Sequence, residues 1–119
     1  MLPSTHRDPY QKFQQVLQEM PESAVAIDLE KQLLPEKFQN LQQLFESEIA
    51  TLSADDISSD YASRWQSVQT EFYRQMRLLE TDVMLLKASR SQATSQTRAL
   101  KICDRIKTLI QYCEVLQQL

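Results

Sequence analysis

The chain has 119 residues, which suits one domain, and its formal net charge of −3 lacks the positive excess that general nucleic-acid binding requires. It contains no glycine, which disfavours tight-turned sheet proteins and phosphate-cradling loops, since both depend on that residue. No apolar run approaches the ~20 residues of a membrane span, and residues 1–20 contain no apolar core of a secretory signal. We therefore expect a helical, cytoplasmic protein without membrane insertion.

The first predicted helix has two possible starts, at Ser4 and at the pair Asp8 and Pro9. Its apolar residues recur at helical spacing, and they are Tyr10, Phe13, Val16, Leu17 and Met20. Pro21 then ends or kinks the helix. His6, the one histidine, precedes this apolar stripe, so we expect it to be solvated or to make a local contact at the helix cap.

Residues 22–34 are interpreted as a connector with room for a short helical stretch. Val25, Leu29 and Leu33 are four residues apart, but prolines bound the segment on both sides. A second helix is predicted from Pro35, and its apolar stripe consists of Phe38, Leu41, Phe45, Ile49 and Leu52. A polar break follows at residues 53–59.

The strongest pattern lies in the second half of the chain. One near-heptad stripe consists of Tyr61, Trp65, Val68, Phe72, Met76, Leu79, Val83 and Leu86, and another of Ala99, Ile102, Ile106, Leu109, Cys113 and Leu116. The polar stretch between them predicts a turn, so two helices of about 40 Å each would pack antiparallel. The predicted fold is all-α: residues 1–119 form a single helical bundle domain with a long antiparallel C-terminal helical hairpin and two shorter N-terminal helices.

The residues that carry most enzyme chemistry are scarce. One histidine and two cysteines cannot supply a zinc or di-iron ligand set. Cys103 and Cys113 are ten residues apart in one predicted helix, about 15 Å along its axis, which is too far for a disulfide. We therefore predict no catalytic residues, no cofactor and no metal.

Charge is distributed unevenly along the chain. Residues 1–60 contain 11 acids and 4 bases, for a charge of −7, and residues 61–119 contain 5 acids and 9 bases, for +4. One interpretation is that the two halves pack together and neutralise each other. The other is a basic docking face for an acidic protein segment. Under the second interpretation the candidate protein-binding residues are Arg90, Arg98, Lys101, Arg105 and Tyr112, of which Arg98, Lys101 and Arg105 share a helical face.

The opening sequence MLPSTHRDPYQKF, the glycine-free helical body and the length near 120 residues resemble the heterocyst frequency control protein PatD family of filamentous cyanobacteria. The resemblance covers the whole chain and is best defined from Leu2 to Phe13. It implies a non-enzymatic developmental regulator that interacts with the tubulin-like division GTPase FtsZ and affects its assembly. The main alternative is a self-associating coiled-coil or assembly component, whose hairpin seam would form a homo-oligomer.

Overall fold

The structure, a computed structural model, describes residues 2–119 except for the side chain of Asp56, and every regular element in this part of the chain is helical. The α-helices are α1 (Ser4–Gln18), α2 (Ala24–Leu29), α3 (Leu34–Leu44), α4 (Ser59–Ala88) and α5 (Gln92–Gln118). A π-helical turn, Phe45–Ile49, extends α3, and a 3₁₀ turn, Ala54–Asp56, precedes α4. The predicted all-α bundle with a long C-terminal hairpin is confirmed, and α2 adds a short helix within the predicted connector.

The hairpin of α4 and α5 sets the shape of the molecule, which measures 50 × 20 × 19 Å along its principal axes. At ~1.5 Å per residue, the 30 residues of α4 span nearly all of the long axis. Asp60 in the first turn and Lys87 in the last turn both complement the helix dipole. After a connection of three residues, the Ser91 hydroxyl accepts a 3.1 Å hydrogen bond from the Thr94 N–H and caps α5.

The core forms where the N-terminal helices cover one side of this hairpin. Helices α1 and α2 pack against α5, and α3 packs against α4. At the centre, the rings of Phe13 and Phe45 lie 5.2 Å and 5.8 Å from that of Phe72. Trp65 and Phe72, both predicted from the long stripe to be core residues, are 4% and 0% exposed. The heptad-like spacing therefore identified most of the buried face of α4, but Tyr61, the first residue of the stripe, is 36% exposed near the start of the helix, and Val68 is half-buried.

The prediction for His6 was wrong, because its side chain is buried. Helix α1 begins at Ser4 and contains Pro9, so His6 lies inside the helix, one turn before Tyr10 and on the same face. The His6 Nε2–H donates a 2.7 Å hydrogen bond to the Ser53 carbonyl, and the ring meets the Trp65 indole edge-on at 5.7 Å. These contacts attach the start of α1 to the chain that leads into α4.

The short helix α2 turns its regularly spaced apolar residues outward. Val25 and Leu29 are 71% and 80% exposed, and Leu33, which follows the helix, is 54% exposed. Ile27 and Leu34 are fully buried in their place. The four-residue spacing therefore indicated a helix but marked its solvent face.

Candidate protein-binding surface

Four of the five predicted binding residues lie on one side of α5. Arg98, Lys101, Arg105 and Tyr112 are separated by 3, 4 and 7 residues within that helix, so they follow one face. The fifth residue, Arg90, lies in the connection between α4 and α5 and is exposed. Because α1 and α2 occupy a different side of α5, the face formed by Arg98, Lys101 and Arg105, here called the basic face, remains accessible.

Two arginines of the basic face are held by one carboxylate from α4. Asp82 is buried, and its Oδ2 accepts a 3.3 Å hydrogen bond from Arg105 Nε. Its Oδ1 lies 3.8 Å from Arg98 Nη1, which makes a second ion pair. Arg105 Nη1 also donates to Gln75 Oε1 at 3.5 Å. The side chains of both arginines are about 30% exposed, so each joins α5 to α4 while part of it still faces solvent.

This arrangement leaves a net positive charge at the surface. One carboxylate balances only one of the two guanidinium groups, and Lys101 lies exposed between them in sequence. Guanidinium groups that are already oriented lose less conformational entropy when they bind an anionic group. The basic face can therefore present ordered hydrogen-bond donors to a carboxylate or phosphate.

Asp82 and Gln75 are the polar residues of this region that sequence reasoning missed. Both lie on the register of the long apolar stripe, since residues 75, 79, 82 and 86 are separated by 4, 3 and 4 positions. A polar side chain on a buried register needs a partner across the interface. Their position in the heptad pattern was thus a usable indication of a buried polar contact, although it did not identify the arginines that satisfy it.

The two sequence halves are not neutralised by direct ion pairs between them. In the described part of the chain, Arg98 and Arg105 pair internally, but with Asp82 of their own hairpin rather than with an acid from residues 1–60. The other ion pairs are Lys12 with Glu48, Lys37 with Glu30, and Arg74 with Glu71. All five pairs stay within one half. The charge separation along the sequence therefore persists on the folded surface.

Tyr112 is only partly available to a partner. Its ring is half-buried and packs against the core at the far end of the basic face. Tyr73, the other tyrosine beside a stripe, donates a 3.2 Å hydrogen bond from its hydroxyl to the Ala50 carbonyl. Tyr73 therefore helps to fix the π-helical turn, whereas Tyr112 stays partly exposed.

The two cysteines are buried and unpaired with each other. Cys103 donates from Sγ to the Glu22 carbonyl at 3.4 Å. Burial, assisted by the nearby charge of Glu114, raises the pKa of the Cys113 thiol to about 12, so it is protonated at neutral pH. Nucleophilic and metal chemistry needs the thiolate, which the burial of Cys113 disfavours.

The described side chains form no group of three or more His, Cys, Asp or Glu residues that is arranged to hold a metal ion. Within residues 2–119, no helix combines the length and the apolar character needed to cross a bilayer.

Comparison with known proteins identified no relative of this chain. No protein-family model matches the chain, and neither a curated protein nor a solved structure shows significant similarity to it.

Proposed function

We propose that this protein is a non-enzymatic cytoplasmic regulator that acts by binding another protein. The observation that supports the proposal best is the basic face, where Asp82 orients Arg98 and Arg105 and Lys101 stays exposed. A positive surface with ordered donors accelerates encounter with an acidic protein and selects against basic ones. By the PatD resemblance, the partner is FtsZ, the effect is on its assembly, and the physiological role is control of heterocyst frequency.

The proposal is tested by measuring binding of the purified chain to purified FtsZ at low and at raised salt. Reversal of Arg98 or Arg105 is unsuitable, because it would leave Asp82 buried without its counter-charge and would destabilise the fold. The informative variant is the pair Lys101→Glu and Arg90→Glu, since both side chains are exposed. Arg64→Glu, at an exposed position near the start of α4, is the matched control.

We expect the double variant to weaken FtsZ binding about tenfold at low salt, equivalent to about 1.4 kcal/mol, with a smaller effect at raised salt. The control should bind like the native chain. No binding by the native protein would refute FtsZ as the partner, and equal binding by native and double variant would refute this docking surface. A mass that rises with concentration in light scattering would instead favour the self-associating alternative.

A further inference from the structure

A second feature lies between α2 and α5, on a different side of α5 from the basic face. This groove, here called the α2–α5 groove, has a volume of about 360 Å³ and is lined by Ala24, Val25, Asp28, Leu29, Gln92, Gln96 and Leu100. Its apolar walls are open to solvent, because Leu29 is 80% and Leu100 is 58% exposed. Exposed apolar side chains gathered within a polar rim mark sites of macromolecular contact.

The walls of the groove are held in place before any partner arrives. The Ser23 hydroxyl caps α2 by accepting a 3.1 Å hydrogen bond from the Ala26 N–H. Ser95 of α5 donates from its hydroxyl to the Asp28 carboxylate, and Ile27 is buried beneath α2. Helix α2 is therefore fixed to α5 by both polar and apolar contacts. Binding of a partner would cost little conformational entropy at this surface.

One end of the groove is positively charged. Lys31 and Arg90 line an adjoining depression that shares Asp28, Leu29 and Gln92 with the groove. Neither base forms an ion pair with a carboxylate in the described part of the chain. Asp28, the acid between them, already accepts the Ser95 hydroxyl, so the two bases leave a local excess of one positive charge.

We propose that the α2–α5 groove binds a short segment of a partner protein that carries one or two large apolar side chains flanked by aspartate or glutamate. The apolar side chains would contact Val25, Leu29 and Leu100, and the flanking carboxylates would meet Lys31 and Arg90. The volume of the groove is enough for one or two such side chains. The positive charge at its end is complementary to the negative charge of the flanking aspartate or glutamate. This inference rests on the proposed protein-binding function and specifies the kind of segment that is bound.

Charge also distinguishes this partner from a second copy of the chain. A symmetric dimer places the same patch on both sides of its interface. Such a dimer must therefore supply the carboxylates that meet Lys31 and Arg90 from this same patch, and Asp28, the acid that lines it, already accepts the Ser95 hydroxyl. A partner segment with its own aspartate or glutamate brings the missing negative charge.

The test selects random short peptides displayed on phage against the immobilised full-length chain, and then measures the selected peptides by fluorescence anisotropy. The groove variant is Leu29→Gln with Leu100→Gln, two exposed positions where a polar side chain leaves the core intact. Met84→Gln is the matched control, since Met84 is also an exposed apolar residue, 64% accessible, but lies outside the groove. Circular dichroism and thermal melting confirm that each variant is folded.

We expect the selected peptides to combine large apolar residues with aspartate or glutamate. They should bind the groove variant at least about tenfold more weakly than the native chain and bind Met84→Gln normally. Arg90→Glu should weaken them as well, and more strongly at low salt. Equal binding to native chain and groove variant, selection of basic peptides, or no enrichment would overturn the proposal. A concentration-dependent mass that the groove variant abolishes would overturn it in favour of a second copy.

These outcomes are separable from those of the FtsZ experiment. If no acidic apolar peptide binds the groove while FtsZ still binds the native chain, only this inference is refuted. Failure of FtsZ to bind, with acidic apolar peptides still selected, would refute only the named partner.

Discussion

Replacing Tyr10 with phenylalanine tests how the N-terminal helices are attached to the hairpin. The Tyr10 hydroxyl is fully buried, accepts a 3.0 Å hydrogen bond from Trp65 Nε1 and donates a 2.5 Å hydrogen bond to Gln69 Oε1. Gln69 Nε2 in turn donates to the Ile49 carbonyl at 3.2 Å. One oxygen atom therefore connects α1 to α4, and through Gln69 to the π-helical turn. Phenylalanine keeps the ring and its edge contact with Phe72 and deletes only that oxygen.

The expected loss of stability follows from the two groups that the change leaves without a partner. The Trp65 N–H loses its acceptor and Gln69 Oε1 loses its donor, and each buried unsatisfied group costs about 1–3 kcal/mol. The free energy of unfolding should therefore fall by about 2–6 kcal/mol. An unfolding entropy of about 2.1 cal/mol/K per residue gives about 250 cal/mol/K for 119 residues. A loss of 2 kcal/mol thus lowers Tm by about 8 °C, which is the minimum we expect.

Thermal and denaturant unfolding, followed by circular dichroism, provide the measurement. Tyr61→Phe is the control, because the same atom is deleted from a side chain that is 36% exposed. That change should leave Tm within about 2 °C of the native value, as expected for a surface substitution. If Tyr10→Phe melts together with Tyr61→Phe, the hydrogen bonds of the Tyr10 hydroxyl do not stabilise the packing of α1 on α4.

Two further predictions concern the core. Trp65→Ala should cost about 3–5 kcal/mol of unfolding free energy in denaturant titrations, because Trp65 is 4% exposed; an unchanged midpoint would contradict its burial. Burial raises the pKa of Cys113 from its ordinary 9.0 to about 12, so the folded chain keeps a proton that the unfolded chain releases. Its stabilisation is complete below pH 9 and should fall by about 1.4 kcal/mol per pH unit toward pH 12. The pH–stability curve of Cys113→Ala should be flatter over that range, and parallel curves would refute this.

The hairpin could be predicted because its apolar periodicity is long and its caps are local. Every residue of the α5 stripe is buried, and Ser91 caps that helix through a contact only three residues away. The start of α1 could not be chosen in the same way. Ser4 and Asp8 are both local start signals, but the helix follows Pro3 without a side-chain cap, and the burial of Leu2 and His6 favours the earlier start.

The candidate binding surface could be predicted from the sequence only in part, for a similar reason. Spacing alone places Arg98 and Arg105 on one face of α5, since that depends on a single helix. Their pairing with Asp82 depends on the relative register of two helices, which a single sequence does not define. The groove depends on how α2 is rotated about its own axis. Six residues are too few for periodicity to show which side is buried, and Ile27 determines it through contact with the core.

The fold converts the difference in charge between the two halves of the sequence into a difference in charge between two layers of helices. Helices α1, α2 and α3 form one layer against the hairpin of α4 and α5, so the acid-rich half and the base-rich half lie side by side rather than at opposite ends. The molecule is about 20 Å across these layers, about two and a half times the Debye length of ~8 Å at physiological salt. Charges on the outer face of one layer are therefore largely screened from charges on the outer face of the other. An acidic partner at the basic face therefore interacts mainly with the excess positive charge of the hairpin. For this reason a chain with a net charge of −3 can offer a site for an acidic segment.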